Sequence, residues 1–153
     1  MNVLSPAHPT RPTLLSERDA ATFFRECFID ELARAAWRDP VQYRRELLAD
    51  SPRLRGVLDE AARTAGWSRP LPEGHARGLA LSVTHGVVAA HVAEVSLDGD
   101  AAAQVHHMLA VIDRGDGVPG LAQSDAASAG AAAAIANAMA ALQARLSLQG
   151  AQT

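Results

Sequence analysis

Three apolar segments separated by glycine-containing turns constrain this chain more than any other feature. Residues 78–84, 87–97 and 103–113 are rich in the apolar and branched side chains typical of β-strands. Asp98-Gly99 follows the second segment, and this pair favours a hairpin because glycine tolerates the positive φ of a tight turn. His85-Gly86 is a weaker signal of the same kind. The sequence therefore predicts a three-stranded antiparallel meander.

The first predicted helix carries a regular apolar stripe. Phe24, Phe28, Leu32 and Ala36 recur every four residues. This spacing places them on one face of a helix. We expect that face to pack against the core.

Two further short helices are predicted before the meander. Asp39-Pro40 and Ser51-Pro52 each place a capping residue before a proline, the pattern of a helix start. In the first of these helices Leu47 is expected inward and Arg44 in water. Gly66 is placed to end the second helix in the left-handed conformation.

Alanine dominates residues 124–148, which predicts a long helix because alanine has the highest helix propensity. The predicted fold class is α+β: short N-terminal helices, the antiparallel meander and the long alanine-rich helix packed on the sheet. Residues 1–13 are expected to form a flexible arm, residues 14–148 a single domain and residues 149–153 a tail.

Composition excludes several function classes. The 153 residues carry a formal net charge of −3 and no lysine, so no basic face is available for nucleic acid. The first dozen residues hold three prolines and no apolar run, which favours neither a secretory signal nor a membrane helix. We expect a cytoplasmic protein that does not bind membranes. Cys27, the single cysteine, excludes an internal disulfide.

The six histidines raise the possibility of a metal site. His106 and His107 are adjacent, so on a strand they point to opposite faces and cannot chelate one ion. We expect no bound metal.

One end of the predicted sheet gathers the candidate site residues. His85 and Asp113 both close a strand there, beside Gly86 and the start of the second strand at Val88. An imidazole near a carboxylate can exchange protons near neutral pH, so we expect His85 and Asp113 to be catalytic. The alternative interpretation is that Asp113 caps a turn and His85 lies in a hairpin loop.

Five residues are candidates for substrate binding. Arg114 could bind an anion, and Glu94 stands out on an apolar strand as a second acid. The candidates are Gly86, Val88, Arg114, Glu94 and His91.

A series of short segments resembles a known enzyme family. The run Arg25-Glu26-Cys27-Phe28-Ile29-Asp30-Glu31-Leu32-Ala33 is similar to an E-S-F-I-D-E-L-A motif in molybdopterin-binding large subunits of the xanthine dehydrogenase and aldehyde oxidase family, in particular the isoquinoline 1-oxidoreductase beta-subunit branch. The similarity continues in the same order through residues 39–40, 44–48, 66–67, 70–72, 77–78, 92–95 and 110–115. It covers about residues 20 to 140.

The resemblance also indicates which groups are missing. Segments that line the cofactor in that family would fall near Leu14 to Glu17 and near Asp125 and Ala127, and this sequence keeps none of them. Each buried hydrogen-bond partner removed costs about 1–3 kcal/mol, so we expect no cofactor.

Three functions remain open at this point. The favoured one is a cofactor-free enzyme, derived from a large-subunit fragment, that acts on a small organic molecule in a redox-neutral cyclisation or isomerisation. The second is an oxidoreductase subunit that completes a molybdopterin site with a partner chain. The third is a non-catalytic binding or scaffolding module. A small sheet has edges that need cover, so we also expect a homodimer, formed through the alanine helix or a sheet edge.

Overall fold

The computed structural model describes residues 2–4, 17–100, 102–116 and 121–152. Within these residues one antiparallel sheet has the strand order β1-β4-β3-β2. The strands are β1 (Asn2–Leu4), β2 (His75–Thr84), β3 (Val87–Leu97) and β4 (Ala103–Asp113). The helices are α1 (Glu17–Ala35), α2 (Pro40–Leu47), α3 (Pro52–Thr64) and α4 (Leu121–Gly150). The predicted α+β class, with short helices, a meander and a long C-terminal helix on the sheet, is confirmed.

The meander forms between β2, β3 and β4. Thr84 pairs with Val87 across a tight turn in which His85 and Gly86 have φ values of 49° and 78°. Both values are positive, as a two-residue primed turn requires. Strands β3 and β4 have the predicted bounds, and β2 begins three residues earlier than predicted, at His75.

Strand β1 was not predicted. Its residues Asn2, Val3 and Leu4 pair with residues 110–112 of β4, so this part of the expected arm belongs to the sheet. Edge pairing of this kind depends on a distant strand and leaves no periodic signal in three residues. Residues 1 and 5–13 of the expected arm lie outside the described part of the chain.

Helices cover the two faces of the sheet. On one face α2 and α3 contribute Val41, Val57, Leu58 and Ala61 to a core with the strands. On the other face alanines of α4 pack against β2 and β3. The sheet therefore forms a central layer, and its strands are apolar on both sides.

Helix α4 approaches β2 unusually closely at Gly78. A Cβ atom at this position would lie less than 3.0 Å from backbone atoms of Ala134 and Ala138. Alanines at the contact give the helix a flat face, and glycine removes the last side chain from the strand. The alanine content of α4 thus permits a close approach of the helix to the sheet.

Replacing Gly78 with alanine should therefore destabilise the chain. The added methyl group would meet backbone rather than a flexible side chain, so we expect a loss of about 1–3 kcal/mol in the free energy of unfolding. Urea denaturation followed by circular dichroism would measure it. Gly99→Ala is the matched control, because nothing lies within 4 Å of a Cβ there. Equal stabilities for the two variants would contradict the close contact.

The long helix also has the length and composition of a membrane span. Residues Ala129–Gly150 have a mean hydropathy of 1.2 over an 18-residue window. Ala133, Ala134, Ala138 and Leu142 on this segment are buried in the fold. A helix packed on a sheet through such a face passes the same compositional test as a membrane span.

Helix α1 packs with the face opposite to the predicted one. Phe24 is 68% exposed and Phe28 59% exposed, and Leu32 is exposed as well. The buried positions are instead polar or small, and they are Thr22, Glu26, Asp30 and Ala33. The expectation that the phenylalanine stripe faces the core is therefore wrong.

A buried cluster of charges explains this orientation. Arg44 of α2 donates to Glu26 at 3.1 Å and to Asp30 at 2.8 Å, and all three side chains are at most 3% exposed. The expected solvent position of Arg44 is wrong because its charge is neutralised inside the protein by two carboxylates of α1. Leu47, expected inward, is exposed. We call Arg44, Glu26 and Asp30 the buried ion cluster.

The ion cluster is also joined to the edge of the sheet. Glu26 accepts a hydrogen bond from the backbone N–H of Leu81 at 2.9 Å, and Arg25 donates to the carbonyl of the same residue at 3.2 Å. Asn137 of α4 donates to the Leu79 carbonyl at 2.9 Å. Polar side chains thus satisfy edge groups of β2 that a further strand would otherwise have to pair.

Removing the arginine of the ion cluster should be strongly destabilising. Arg44→Met removes the buried counterion of two carboxylates and leaves them only the more exposed Arg34 and Arg25. Breaking a buried ion pair costs about 3–5 kcal/mol in comparable cases. Thermal or urea unfolding would measure the loss. Arg63→Met is the control, because Arg63 pairs with Glu60 on the surface and should contribute little. An unfolding free energy unchanged by Arg44→Met would contradict the proposed role of the cluster.

Candidate functional site

A histidine and a glutamate form a hydrogen-bonded pair on the face of the sheet covered by α3. His75 Nδ1 lies 2.8 Å from Glu94 Oε1, and the side chains are 19% and 13% exposed. The register explains the contact: Arg77 opposes Glu94 across the strands, so His75, two residues earlier on β2, is its diagonal neighbour. Imidazole and carboxylate are therefore held together by two paired strands.

A bulge in β4 adds a second imidazole to this pair. His107 pairs with Glu94 and Val105 pairs with Val95, so His106 is the extra residue between them. Bulges redirect a side chain relative to the pleat. The His106 ring stacks on that of His75 with centroids 4.3 Å apart and 20° between planes. His106 Nε2 lies 2.8 Å from the Ser96 hydroxyl, which fixes the ring.

Arg77 connects the pair to the end of α3. Its Nη1 donates to the carbonyl oxygens of Gly66 at 2.8 Å and Arg69 at 3.0 Å, while Nη2 lies 3.9 Å from Glu94 Oε2. Gly66 has a φ of 64°, the left-handed helix end that the sequence predicted. The helix end therefore sets the position of the guanidinium, and the guanidinium lies beside the carboxylate.

Glu94 of this pair lines a groove of about 400 Å³ between the end of α3 and the sheet, and His75 contacts the lining residues Glu94 and His106. Its lining combines apolar and ionisable side chains. The lining residues are Thr64, Ala65, Arg77, Val92, Glu94, His106, His107, Met108 and Leu109. A volume of this size suits a small organic molecule.

The backbone of His75 is also held in place. Arg145 of α4 donates to the His75 carbonyl at 3.1 Å.

With Nδ1–H donated to Glu94, a neutral His75 ring carries its lone pair on Nε2. Such an arrangement can accept a proton from a bound molecule and stabilise the resulting imidazolium through the carboxylate.

The sheet end predicted as the site does gather His85, Gly86 and Asp113. Val88 pairs with Asp113, and the His85-Gly86 turn precedes it. A residue that was not predicted joins them: Arg53 of α3 donates to Asp113 Oδ2 at 3.0 Å and to the Gly86 carbonyl at 2.8 Å. Asp113 also accepts from the backbone N–H of Gly115 at 2.9 Å.

These contacts change the chemistry expected of Asp113. The hydrogen bond from Arg53, followed by that from the Gly115 N–H, lowers the pKa of the Asp113 carboxyl below its ordinary value. A carboxylate with a lowered pKa is a weaker base. The catalytic role of His85 and Asp113 stays a prediction, and the ion pair with Arg53 favours a structural role for the carboxylate.

The predicted substrate-binding residues do not share one site. Arg114 and Gly86 are exposed at the predicted sheet end, but Val88 is buried in the core beneath α3. Glu94 lies six residues further along β3, roughly 20 Å away, at the groove. His91 is buried on the opposite face, under α4. The sequence alone could not show that the candidates on β3 lie on different faces and at different ends of that strand.

His75 was missed because the first strand was predicted to begin only at residue 78. A signal was present, since His75 and Arg77 continue the odd-numbered series of Leu79 and Leu81 in β2. Arg77 and Glu94 are opposite charges on strands joined by a short turn, and opposite charges stabilise cross-strand pairs. Extending the strand by three residues would have placed His75 beside Glu94.

His91 is a buried histidine with an unusual environment. Within the described residues, its Nδ1 has no hydrogen-bond partner. Gly130 of α4 makes room for the ring, because a Cβ there would lie less than 3.0 Å from Nδ1. Burial lowers the pKa of His91 from its ordinary 6.5 to about 4. The ring is therefore neutral in the folded protein at neutral pH.

This lowered pKa makes stability depend on pH. The unfolded chain binds a proton at His91 below about pH 6.5, whereas the folded chain does so only near pH 4, so His91 should cost stability as the pH falls through this range. Over the whole range the loss is on the order of 3 kcal/mol. Urea unfolding of the parent and of His91→Leu between pH 7 and pH 4.5 would measure it. Parallel pH profiles for the two proteins would contradict the assignment.

Histidines and carboxylates do not converge on a metal-binding arrangement in the described ranges, where no group of three or more such side chains could hold an ion. The positions near Leu14 to Glu17 that the family resemblance singled out fall mostly outside the described residues. The side chains of Asp125 and Ala127 are also outside the described part of the chain.

Comparisons with protein-family models, with curated proteins and with solved structures give no match to this chain. The resemblance to molybdenum hydroxylase large subunits therefore stays a prediction. The class that the fold and the groove define is an α+β chain with an imidazole–carboxylate pair whose carboxylate lines a groove of small-molecule size.

Proposed function

We propose that this chain is a cofactor-free enzyme that catalyses a redox-neutral proton transfer on a small organic molecule, as in an isomerisation or a cyclisation. The observation that carries the proposal is the His75–Glu94 hydrogen bond of 2.8 Å, whose carboxylate lines the groove. His75 and Glu94 take the catalytic role that the sequence suggested for His85 and Asp113.

The proposed chemistry needs only side chains of this chain. His75 Nε2 removes a proton from one atom of the substrate, Glu94 stabilises the imidazolium, and the same ring returns the proton to another atom. Electrons and atoms balance, because the proton stays within the substrate and no oxidant is consumed. General acid–base catalysis of this kind contributes typically 10²–10⁴-fold to a rate.

The groove supplies orientation as well as a base. Val92, Met108 and Leu109 offer apolar contacts, while His106 stacked on His75 keeps the imidazole plane fixed. Arg77 is held by backbone carbonyls of the α3 end and lies beside Glu94. This lining suits a compact, largely apolar molecule with one polar reacting group.

The family resemblance supports a particular evolutionary origin for the proposed enzyme. We infer that a scaffold related to molybdenum hydroxylase large subunits has retained its sheet and helices and now uses a groove in place of the pterin. The alternative of an oxidoreductase subunit completed by a partner chain makes the opposite expectation: the purified protein would carry molybdenum.

Complementation of a deletion strain would test the proposal. We expect a metabolite to accumulate in the deletion strain and to be consumed again when the parent chain is restored. Glu94→Gln keeps the shape of the side chain but removes its charge, so it should slow turnover about 10²-fold or more, and His75→Ala should do the same.

The control variants are His85→Ala and Asp113→Asn, which should restore turnover to the parent level if the groove is the active site. Full activity of Glu94→Gln together with loss of activity in Asp113→Asn would move the site to the sheet end. Stoichiometric molybdenum in the purified parent protein, measured by elemental analysis, would overturn the cofactor-free mechanism.

A further inference from the structure

The outward face of α1 carries an apolar stripe that the described part of the chain leaves uncovered. Phe24 and Phe28 are 68% and 59% exposed, and Ala21, Leu32 and Ala35 are exposed on the same side. At 100° per residue all five lie within about 40° of Phe28, over a length of about 21 Å. We call these five residues the α1 stripe.

The opposite face of α1 is buried against other parts of the monomer. Glu26 and Asp30 hold Arg44, and Glu26 also accepts from the Leu81 N–H. Helix α1 is therefore anchored to the monomer through this polar face and through Phe23 and Cys27, which pack against the alanine cluster of α4. Because the stripe contributes nothing to that anchoring, its two phenylalanines are explained better by a contact with another molecule.

The order of residues in the α1 stripe is symmetric about Phe28. Reading outward from Phe28, the chain meets Phe24 and Leu32 at four residues and then Ala21 and Ala35 at seven. A two-fold axis beside Phe28 would bring Phe28 of two copies together, Phe24 against Leu32, and Ala21 against Ala35. Each residue thus meets its counterpart in the second copy, which gives the self-complementary patch that an isologous interface requires.

The exposed area is compatible with such a contact. Phenylalanine side chains bury roughly 150–250 Å² each when covered, so the stripe offers on the order of 300–400 Å² of apolar surface. A standard interface buries about 800 Å² per partner, with an apolar centre and a polar rim. The stripe is large enough to form that centre, and the side chains that flank it form the rim.

We propose that the α1 stripe is the interface of a homodimer, in which α1 packs against α1 of a second copy about a two-fold axis at Phe28. This places the dimer contact on a helix that was expected to face the core, rather than on the alanine helix or a sheet edge. The inference is independent of the function proposed for the groove.

Sedimentation velocity of the full chain over a range of concentrations tests the proposal. We expect the parent chain to dimerise and Phe28→Glu to weaken the dimer about 30-fold or more, since the substitution places two carboxylates against each other on the axis. The variant should fold, because Phe28 is exposed in the monomer. Leu148→Glu is the matched control: Leu148 is 55% exposed but lies on α4, so it should dimerise like the parent.

A crosslink locates the axis. In a Cys27→Ser background, Phe28→Cys should form a disulfide between copies on mild oxidation, because a two-fold axis brings this position against itself. Leu148→Cys should not. A parent chain that is monomeric at every concentration would overturn the proposal, as would an equally tight dimer of Phe28→Glu. A crosslink formed by Leu148→Cys and not by Phe28→Cys would also overturn it.

Discussion

The structure depends on the charge balance of one buried arginine. Arg44 is surrounded by Glu26 and Asp30 of a different helix, and burial raises the pKa of Asp30 despite the guanidinium beside it. Burying three ions is expensive unless each finds its partners, so α1 and α2 can pack only in the arrangement that pairs them. Because Glu26 also binds the Leu81 N–H, the same arrangement aligns both helices with the edge of the sheet.

Much of the architecture could be predicted because it follows from local patterns. The positive φ of Gly86, the Asp39 cap on α2 and the alanine content of α4 each depend on a few neighbouring residues, and each is confirmed. Gly99 in the second hairpin does not have the positive φ that the sequence predicted. The bounds of β3 and β4 followed from runs of apolar residues in the same way. These features depend on backbone conformation, which a short stretch of sequence specifies well.

The parts that could not be predicted depend on residues far apart in the chain. The stripe of α1 has the period of a core helix, and only the position of Arg44, 18 residues after Glu26, turns the polar face inward. At the candidate site, the pairing of His75 with Glu94 required knowing where β2 begins, and Asp113 required knowing that Arg53 reaches it from a helix 60 residues earlier. Hydrophobic periodicity does not encode such pairings.

The contact between α4 and the sheet has a consequence for the position of that helix. A face of alanines against Gly78 is smooth, so apart from the space at Gly130 that receives the His91 ring, its shape resists sliding along the strands only weakly. Two polar side chains of α4 fix its position along the strands. Asn137 donates to the Leu79 carbonyl, and Arg145 donates to the carbonyl of His75. These two side chains set the axial position of the 30-residue helix α4. The hydrogen bond from Arg145 ends at the backbone of His75, so a shift of α4 along its axis would also displace the His75 imidazole.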